Sequence, residues 1–219
     1  MNNTVPYPRI CAHRGLSALY PENSLASFQA AIEAGAQEIE FDLRPAKDGR
    51  IIVRHDPIRW RVPKNHLVFE DVLRNYGRRV IMNIHVKQAE IMQGIVEAID
   101  RHACQDYVYL TGNAAVMEAA LALAPGIERC CLEGNKDYKI VKHALKYAAS
   151  KVQFRAQFFT PEMIDEAHAN GIRCNVFYTD DPARAREFFE MGIDTVLTNN
   201  CLRVSAAQGS PLGELPRSG

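Results

Sequence analysis

One unit recurs along this chain and limits the folds open to it. The segments AAIEAGAQEIEFDL, AHANGIRCNVFYT and FFEMGIDTVLTNN each read as a helix, a glycine and then an apolar, β-rich run. Gly35, Gly171 and Gly192 fall where a helix C-terminus takes a left-handed residue, a conformation that costs glycine little. The helix starts are marked as well. Asn23 and Ser24 precede Leu25, Phe28 and Ile32 at helical spacing, and Thr160-Pro161 and Asp181-Pro182 place a capping residue before a proline. Strands are expected at residues 9–12, 38–43, 80–85, 107–110, 127–132, 152–154, 173–177 and 195–198, with helices between nearly all of them. Strands alternating with helices predict a parallel sheet, and this many predict one closed (β/α)8 barrel. No G-x-G-x-x-G turn follows the first strand, which weighs against an open dinucleotide-binding sheet. The 219 residues suit one domain, expected over residues 1–204, and residues 205–219 read as a small, polar, disordered tail.

The balance of charge removes several partner classes. Lys and Arg number 26, as do Asp and Glu, so no basic excess invites a nucleic acid. No apolar run has the length of a membrane span, and the N-terminal residues lack a charged-then-apolar leader, so the cytoplasm is the expected location. Cys11, Cys104, Cys130, Cys131, Cys174 and Cys201 form no C-x-x-C pair and are expected as buried, reduced thiols.

Barrel chemistry sits at the C-terminal ends of the strands. The first strand ends in His13-Arg14-Gly15, the second in Glu38-Ile39-Glu40-Phe41-Asp42 and the third in Asn83-Ile84-His85-Val86-Lys87. Residues two apart on a strand share a face, so Glu40 points with Asp42, and Asn83 with His85 and Lys87. Phe41, Ile84 and Val86 then face the covering helices. Asp48-Gly49 is a strong hairpin signal. Read as a two-residue turn, it pairs Leu43 with Arg54 and lays His55 opposite Asp42; a bulge near Pro45 would shift that register by one. Two carboxylates on one strand end suit a hard divalent cation, two histidines can accept and donate a proton, and Arg14 and Lys87 offer fixed charge to a phosphate. Each residue alone is more often structural; their joint placement is what points to a site. His66, His102, His143 and His168 are expected without partners.

The linked motifs AHRG, PENS and EIEFDLRPAKDGRIIVRHD resemble the glycerophosphodiester phosphodiesterase family, strongly over the first quarter of the chain and weakly through NIHVK, NVFYT and DTVLTNN. The resemblance implies a TIM barrel with a β-hairpin extension after the second strand. It implies His13 and His55 as acid and base, and Glu40, Asp42 and the His85 position as metal ligands. Arg14 and Lys87 fall at the phosphate, and Glu22, Asn23 and Phe177 near the substrate; Trp60, in the loop after His55, reads either as a substrate platform or as an aromatic that anchors that loop. It also implies a divalent metal, Mg²⁺ or Ca²⁺, and a small phosphodiester substrate whose own hydroxyl attacks first to give a cyclic phosphate that water opens.

Two departures stand out. The family's third ligand is a glutamate, and here it is His85, a softer donor that favours Mn²⁺ or Zn²⁺. The long insertion after the His-Asp pair is replaced by PIRWRVPKNHLVFEDVLRNYGRR, part of which reads as a helix. The usual cap is therefore minimal, which leaves room for a homo-oligomer whose neighbour covers the mouth. Two other readings stay open at this point. One is a lyase that stops at the cyclic phosphate, and the other is a catalytically silent member that only binds a phosphodiester.

Overall fold

The computed structural model describes residues 6–58, 62–132 and 139–206. Eight parallel strands close on themselves: β1 (Arg9–His13), β2 (Glu38–Pro45), β4 (Ile81–Val86), β5 (Val108–Gly112), β6 (Glu128–Leu132), β7 (Lys151–Arg155), β8 (Arg173–Phe177) and β9 (Thr195–Thr198). Closure comes from the pairing of β1 with both β9 and β2. β3 (Ile51–Val53) is not part of the ring and pairs antiparallel with the end of β2. The expected (β/α)8 barrel with its hairpin extension is thus the observed architecture.

Helices follow the strands: α1 (Leu25–Glu33), α2 (Phe69–Tyr76), α3 (Met92–Arg101), α4 (Ala114–Leu123), α5 (Ile140–Lys146), α6 (Pro161–Ala169), α7 (Pro182–Glu190) and α8 (Cys201–Ala206). The last helix runs two residues beyond the expected domain end at 204, and residues 207–219 lie outside the described residues. α1 starts as its sequence demands: Ser24 accepts from the Ser27 N–H, and Ser27 bonds back to the Ser24 N–H. Thr160 and Asp181 occupy the predicted cap positions before their prolines. Gly35, Gly171 and Gly192 have φ of 80°, 71° and 101°.

The main core lies between strands and helices. Outward residues such as Ile39, Phe41, Ile84, Val152, Phe154 and Val176 are buried against the helices, with Phe28 of α1 5.6 Å from the Phe41 ring centre. Burying a side chain of this kind contributes roughly 1.5–3 kcal/mol. The barrel interior is different: Glu38, Asn83, Tyr109, Thr111, Gln153 and Asn175 are all buried. Polar bonds link several of them, from Tyr109 Oη to Glu38 (2.7 Å), from Thr111 Oγ1 to Asn83 (2.5 Å) and from Asn175 Nδ2 to Tyr109 (3.2 Å). All six cysteines are free and buried, as expected.

The hairpin after β2 corrects one expectation. The pairs are Leu43 with Val53, Arg44 with Ile52 and Pro45 with Ile51, one residue out from the two-residue-turn register. The loop has three residues between Ala46 and Arg50, with the Gly49 N–H bonding to Ala46 O and Gly49 at φ 86°. A turn followed by a left-handed glycine is the usual three-residue solution, and the added residue shifts the pairing. The Arg54 N–H now meets Asp42 O, and His55 lies one position further along.

Candidate active site

The site begins with a backbone bend after β1. Gly15 has φ 82°, and a Cβ there would lie 2.4 Å from Ser27 Oγ, so the loop reaches α1 only because this residue has no side chain. Arg14 and Asn23 are also left-handed, at φ 57° and 54°. Such strain persists where surroundings fix it, and here they do: the Arg14 N–H bonds to Glu40 Oε2 (3.1 Å), and the Asn23 N–H bonds to Arg14 O (3.1 Å).

Strand register then assembles the cluster. His13 lies beside Glu40, and Asp42 beside His85. Asp42 is 1% exposed. Its Oδ2 accepts from Asn23 Nδ2 (3.0 Å) and has Arg14 Nε at 3.3 Å; its Oδ1 has Lys87 Nζ at 2.7 Å and His85 Nδ1 at 3.2 Å. Oδ1 thus stands in an ion pair with Lys87 and faces the His85 ring. Burial pushes the Asp42 carboxyl up, but His85 and Lys87 outweigh it and hold it well below the usual carboxylate range. Burial pulls the His85 ring down, but contacts with Asp42 and Glu40 outweigh both that and the Lys87 charge, so its pKa is raised.

The orientation of His13 is set from behind. Asp180 accepts from Asn199 Nδ2 (3.2 Å) and from the backbone N–H of Asn199 (2.7 Å). A carboxylate only accepts at neutral pH, so Nδ2 faces Asp180 and Oδ1 faces His13 Nδ1 at 2.7 Å. Nδ1 therefore carries the proton, and Nε2 stands on the Glu40 side, 3.9 Å from Oε2. His55 Nδ1 lies 2.9 Å from Asp56 Oδ1, an acceptor that plays the same part.

His13, Arg14, Glu40, His55, His85 and Lys87 line a cavity of about 390 Å³ together with Leu132, Gln153, Arg155, Gln157, Phe177, Tyr178 and Leu197 among others. Phe177 also packs edge-on against His13, with ring centres 4.9 Å apart. Glu22 and Asn23 do not line this cavity: Glu22 pairs with Arg14 (2.7 Å), and Asn23 serves Asp42. Trp60 lies outside the described residues. The expectation of partnerless histidines elsewhere does not hold. His168 Nε2 lies 2.8 Å from Asp194, and His66 Nε2 lies 3.2 Å from Val53 O. Asn199, Asp180, Tyr178 and Gln153 are the site residues that sequence reasoning misses. Only the TNN and YTDD runs hint at three of them, and their meeting is a tertiary event.

Glu40, Asp42 and His85 offer ligand atoms within 4.8 Å of one another. Two carboxylates, one of them held ionised, and an imidazole on adjacent strand ends are donors that fit a divalent metal. Among the described residues a second such group, His168, Cys174 and Asp194, lies apart from the cavity, with His168 and Arg173 both on Asp194 at 2.8 and 2.9 Å. No helix among the described residues is long and apolar enough to cross a membrane.

Comparison with known proteins agrees with this geometry. Residues 13–65 match the profile of the Glycerophosphoryl diester phosphodiesterase family. The chain is 27% identical to the uncharacterized protein YqiK of Bacillus subtilis over 90% of its own length and 97% of the relative's. It is 22% identical to a glycerophosphodiester phosphodiesterase of Caldanaerobacter subterraneus, over 87% and 93% of the two chains. In fold it matches an Oleispira antarctica phosphodiesterase solved with the product sn-glycerol-3-phosphate, at TM-score 0.83, 21% identity, and coverage of 93% and 98%.

Proposed function

We propose that this protein, which groups with the glycerophosphodiester phosphodiesterases by its signature segment and its fold, hydrolyses a small phosphodiester by two-histidine acid–base catalysis. A glycerophosphodiester or a sugar-phosphate diester is the substrate class, and the products are an alcohol and a phosphomonoester. The observation that carries the reading is the pairing of His13 and His55 on one cavity, each with its Nδ1 on an oxygen acceptor and so with Nε2 left for proton transfer.

Arg14 and Lys87 hold the phosphate oxygens, and Glu40 keeps the Arg14 backbone in place. One histidine takes the proton of the attacking hydroxyl, and the other gives a proton to the leaving alkoxide; the roles reverse when water opens the cyclic phosphate. Asn199 and Asp180 keep His13 in the tautomer that can act. Glu40, Asp42 and His85 would hold a divalent cation, Mg²⁺ or Ca²⁺, with Mn²⁺ or Zn²⁺ favoured by the imidazole. Such an ion supplies Lewis-acid stabilisation of charge on the phosphoryl oxygens.

The test is turnover of a panel of glycerophosphodiesters and sugar-phosphate diesters with each metal in turn, with products identified by ³¹P NMR. A phosphomonoester should appear with at least one metal. Accumulation of a cyclic phosphate alone would make the protein a lyase, and binding without turnover under every metal would make it a silent binder.

A further inference from the structure

The two histidines assigned to proton transfer are held in unlike ways, and the difference points to one further residue. We propose that Arg44 is the positioning residue of His55: its guanidinium, donating to the His55 backbone carbonyl, sets where that imidazole stands over the cavity. This rests on the diesterase function argued above.

His13 is fixed by the ring itself. It ends β1 in register with Glu40 of β2, and Asn199 sets its imidazole. His55 stands outside the ring, on the hairpin arm. β3 stops at Val53, and the Arg54 N–H still bonds to Asp42 O at 2.8 Å. His55 comes one residue later and belongs to no strand. A side chain of β2 meets it there. Alternation puts Glu40, Asp42 and Arg44 on one face of β2, while Phe41 and Leu43 pack into the core from the other. The backbone partner of Arg44 on β3 is Ile52, so its side chain reaches further along the arm than the strand pairing does. Arg44 is half-buried, and its Nε donates to His55 O at 2.6 Å.

A second arginine repeats the tie at longer range. Exposed Arg54 donates from Nε to Asp56 O at 3.2 Å, and Asp56 carries the oxygen that faces His55 Nδ1. The backbone of His55 is thus held by Arg44, and its ring by a residue that Arg54 holds. Arg44 is not among the residues that line the cavity, so its effect on the reaction runs through His55 and not through the phosphate. A hydrogen bond from a cation is roughly twice as strong as a neutral one. The geometry it protects matters, because a displacement of about 1 Å at a reacting group can cost on the order of a hundredfold in rate.

The test is a double-mutant cycle read by diester turnover. Arg44→Met should lower kcat by about tenfold or more with KM near wild type, since it misplaces a proton-transfer group and removes no substrate contact. In a His55→Ala background the same substitution should change kcat/KM by less than about twofold, because the residue it positions is gone. Arg44→Lys, which keeps a cationic donor, should regain part of the loss, and it carries the cycle if the methionine variant does not fold. Equal losses in the wild-type and His55→Ala backgrounds, an unchanged kcat in folded Arg44→Met, or a rise in KM alone overturns the assignment and leaves the diesterase reading intact. Absence of wild-type turnover of every diester in the panel, read by ³¹P NMR, overturns the two together.

Discussion

The two ends of this barrel carry cavities of similar size, about 390 Å³ at the strand C-termini and about 410 Å³ at the N-termini. Both are rich in charge, yet the charges are arranged differently. At the N-terminal end Arg9 and Glu38, each 1% exposed, pair at 3.1 Å, and Tyr109 Oη completes Glu38. Lys151 lies 3.3 Å from Glu128 and donates to Tyr7 Oη at 2.9 Å, while the Tyr7 ring lies 3.9 Å from the Arg9 guanidinium carbon. Burial pulls Lys151 down, but Glu38 and Glu128 outweigh it and raise its pKa. Each of these charges answers another charge of the chain. At the mouth two histidines keep a ring nitrogen turned away from their oxygen acceptors, beside the Glu40 carboxylate and the Arg14 and Lys87 cations. Density of charge does not tell the two ends apart; histidines on the cavity lining do, present at the mouth and absent from the described lining of the other end.

Breaking the N-terminal pair should give the largest change in stability. Arg9→Met leaves the Glu38 carboxylate buried without its ion-pair partner and should cost about 3–5 kcal/mol, read by urea unfolding, with turnover per folded molecule unchanged. A negligible loss would mean that Tyr109 and Lys151 suffice for Glu38, and the two ends would then differ less than argued.

At the mouth the pattern should invert. His13→Ala and His55→Ala should each lower kcat/KM on the order of a hundredfold or more, the usual contribution of a general acid or base, while melting temperatures stay near wild type. The wild-type pH–rate profile should be bell-shaped. Near wild-type rates in both variants would remove the pair from the mechanism.

A smaller effect separates two roles of His85. Its pKa is raised, so below that pKa the ring is protonated and an incoming cation must displace a proton. Metal affinity should fall as pH falls through this pKa, at a higher pH than for a free imidazole. His85→Glu should flatten that dependence between about pH 6 and 8, since a carboxylate is ionised there, and should shift preference toward Mg²⁺ or Ca²⁺. Unaltered metal preference with weakened substrate binding would place His85 on the phosphate and not on the metal.

How far the sequence reveals these features depends on how local their signals are. Gly35, Gly171 and Gly192 each close a helix and open a strand, so strand positions and barrel closure follow from short patterns. Glu40, Asp42 and His85 are legible because strand alternation assigns their face and barrel topology assigns their end. The hairpin register is not, because Asp48-Gly49 serves a two- or three-residue loop alike and only the position of Gly49 in the turn decides. The Asp180–Asn199–His13 chain joins residues up to 186 positions apart, and nothing local encodes it. The same holds for Arg9 and Glu38, whose inward face is predictable but whose mutual satisfaction is not.

The contrast between the ends can be put to one measurement: calorimetric titration of Mn²⁺ into wild type, Glu40→Ala at the mouth and Glu128→Gln at the N-terminal end. A single binding event per chain is expected in wild type, abolished by Glu40→Ala and kept by Glu128→Gln. Binding that survives Glu40→Ala but is lost in Glu128→Gln, or no binding in wild type, would contradict the assignment of the mouth as the metal-dependent catalytic end.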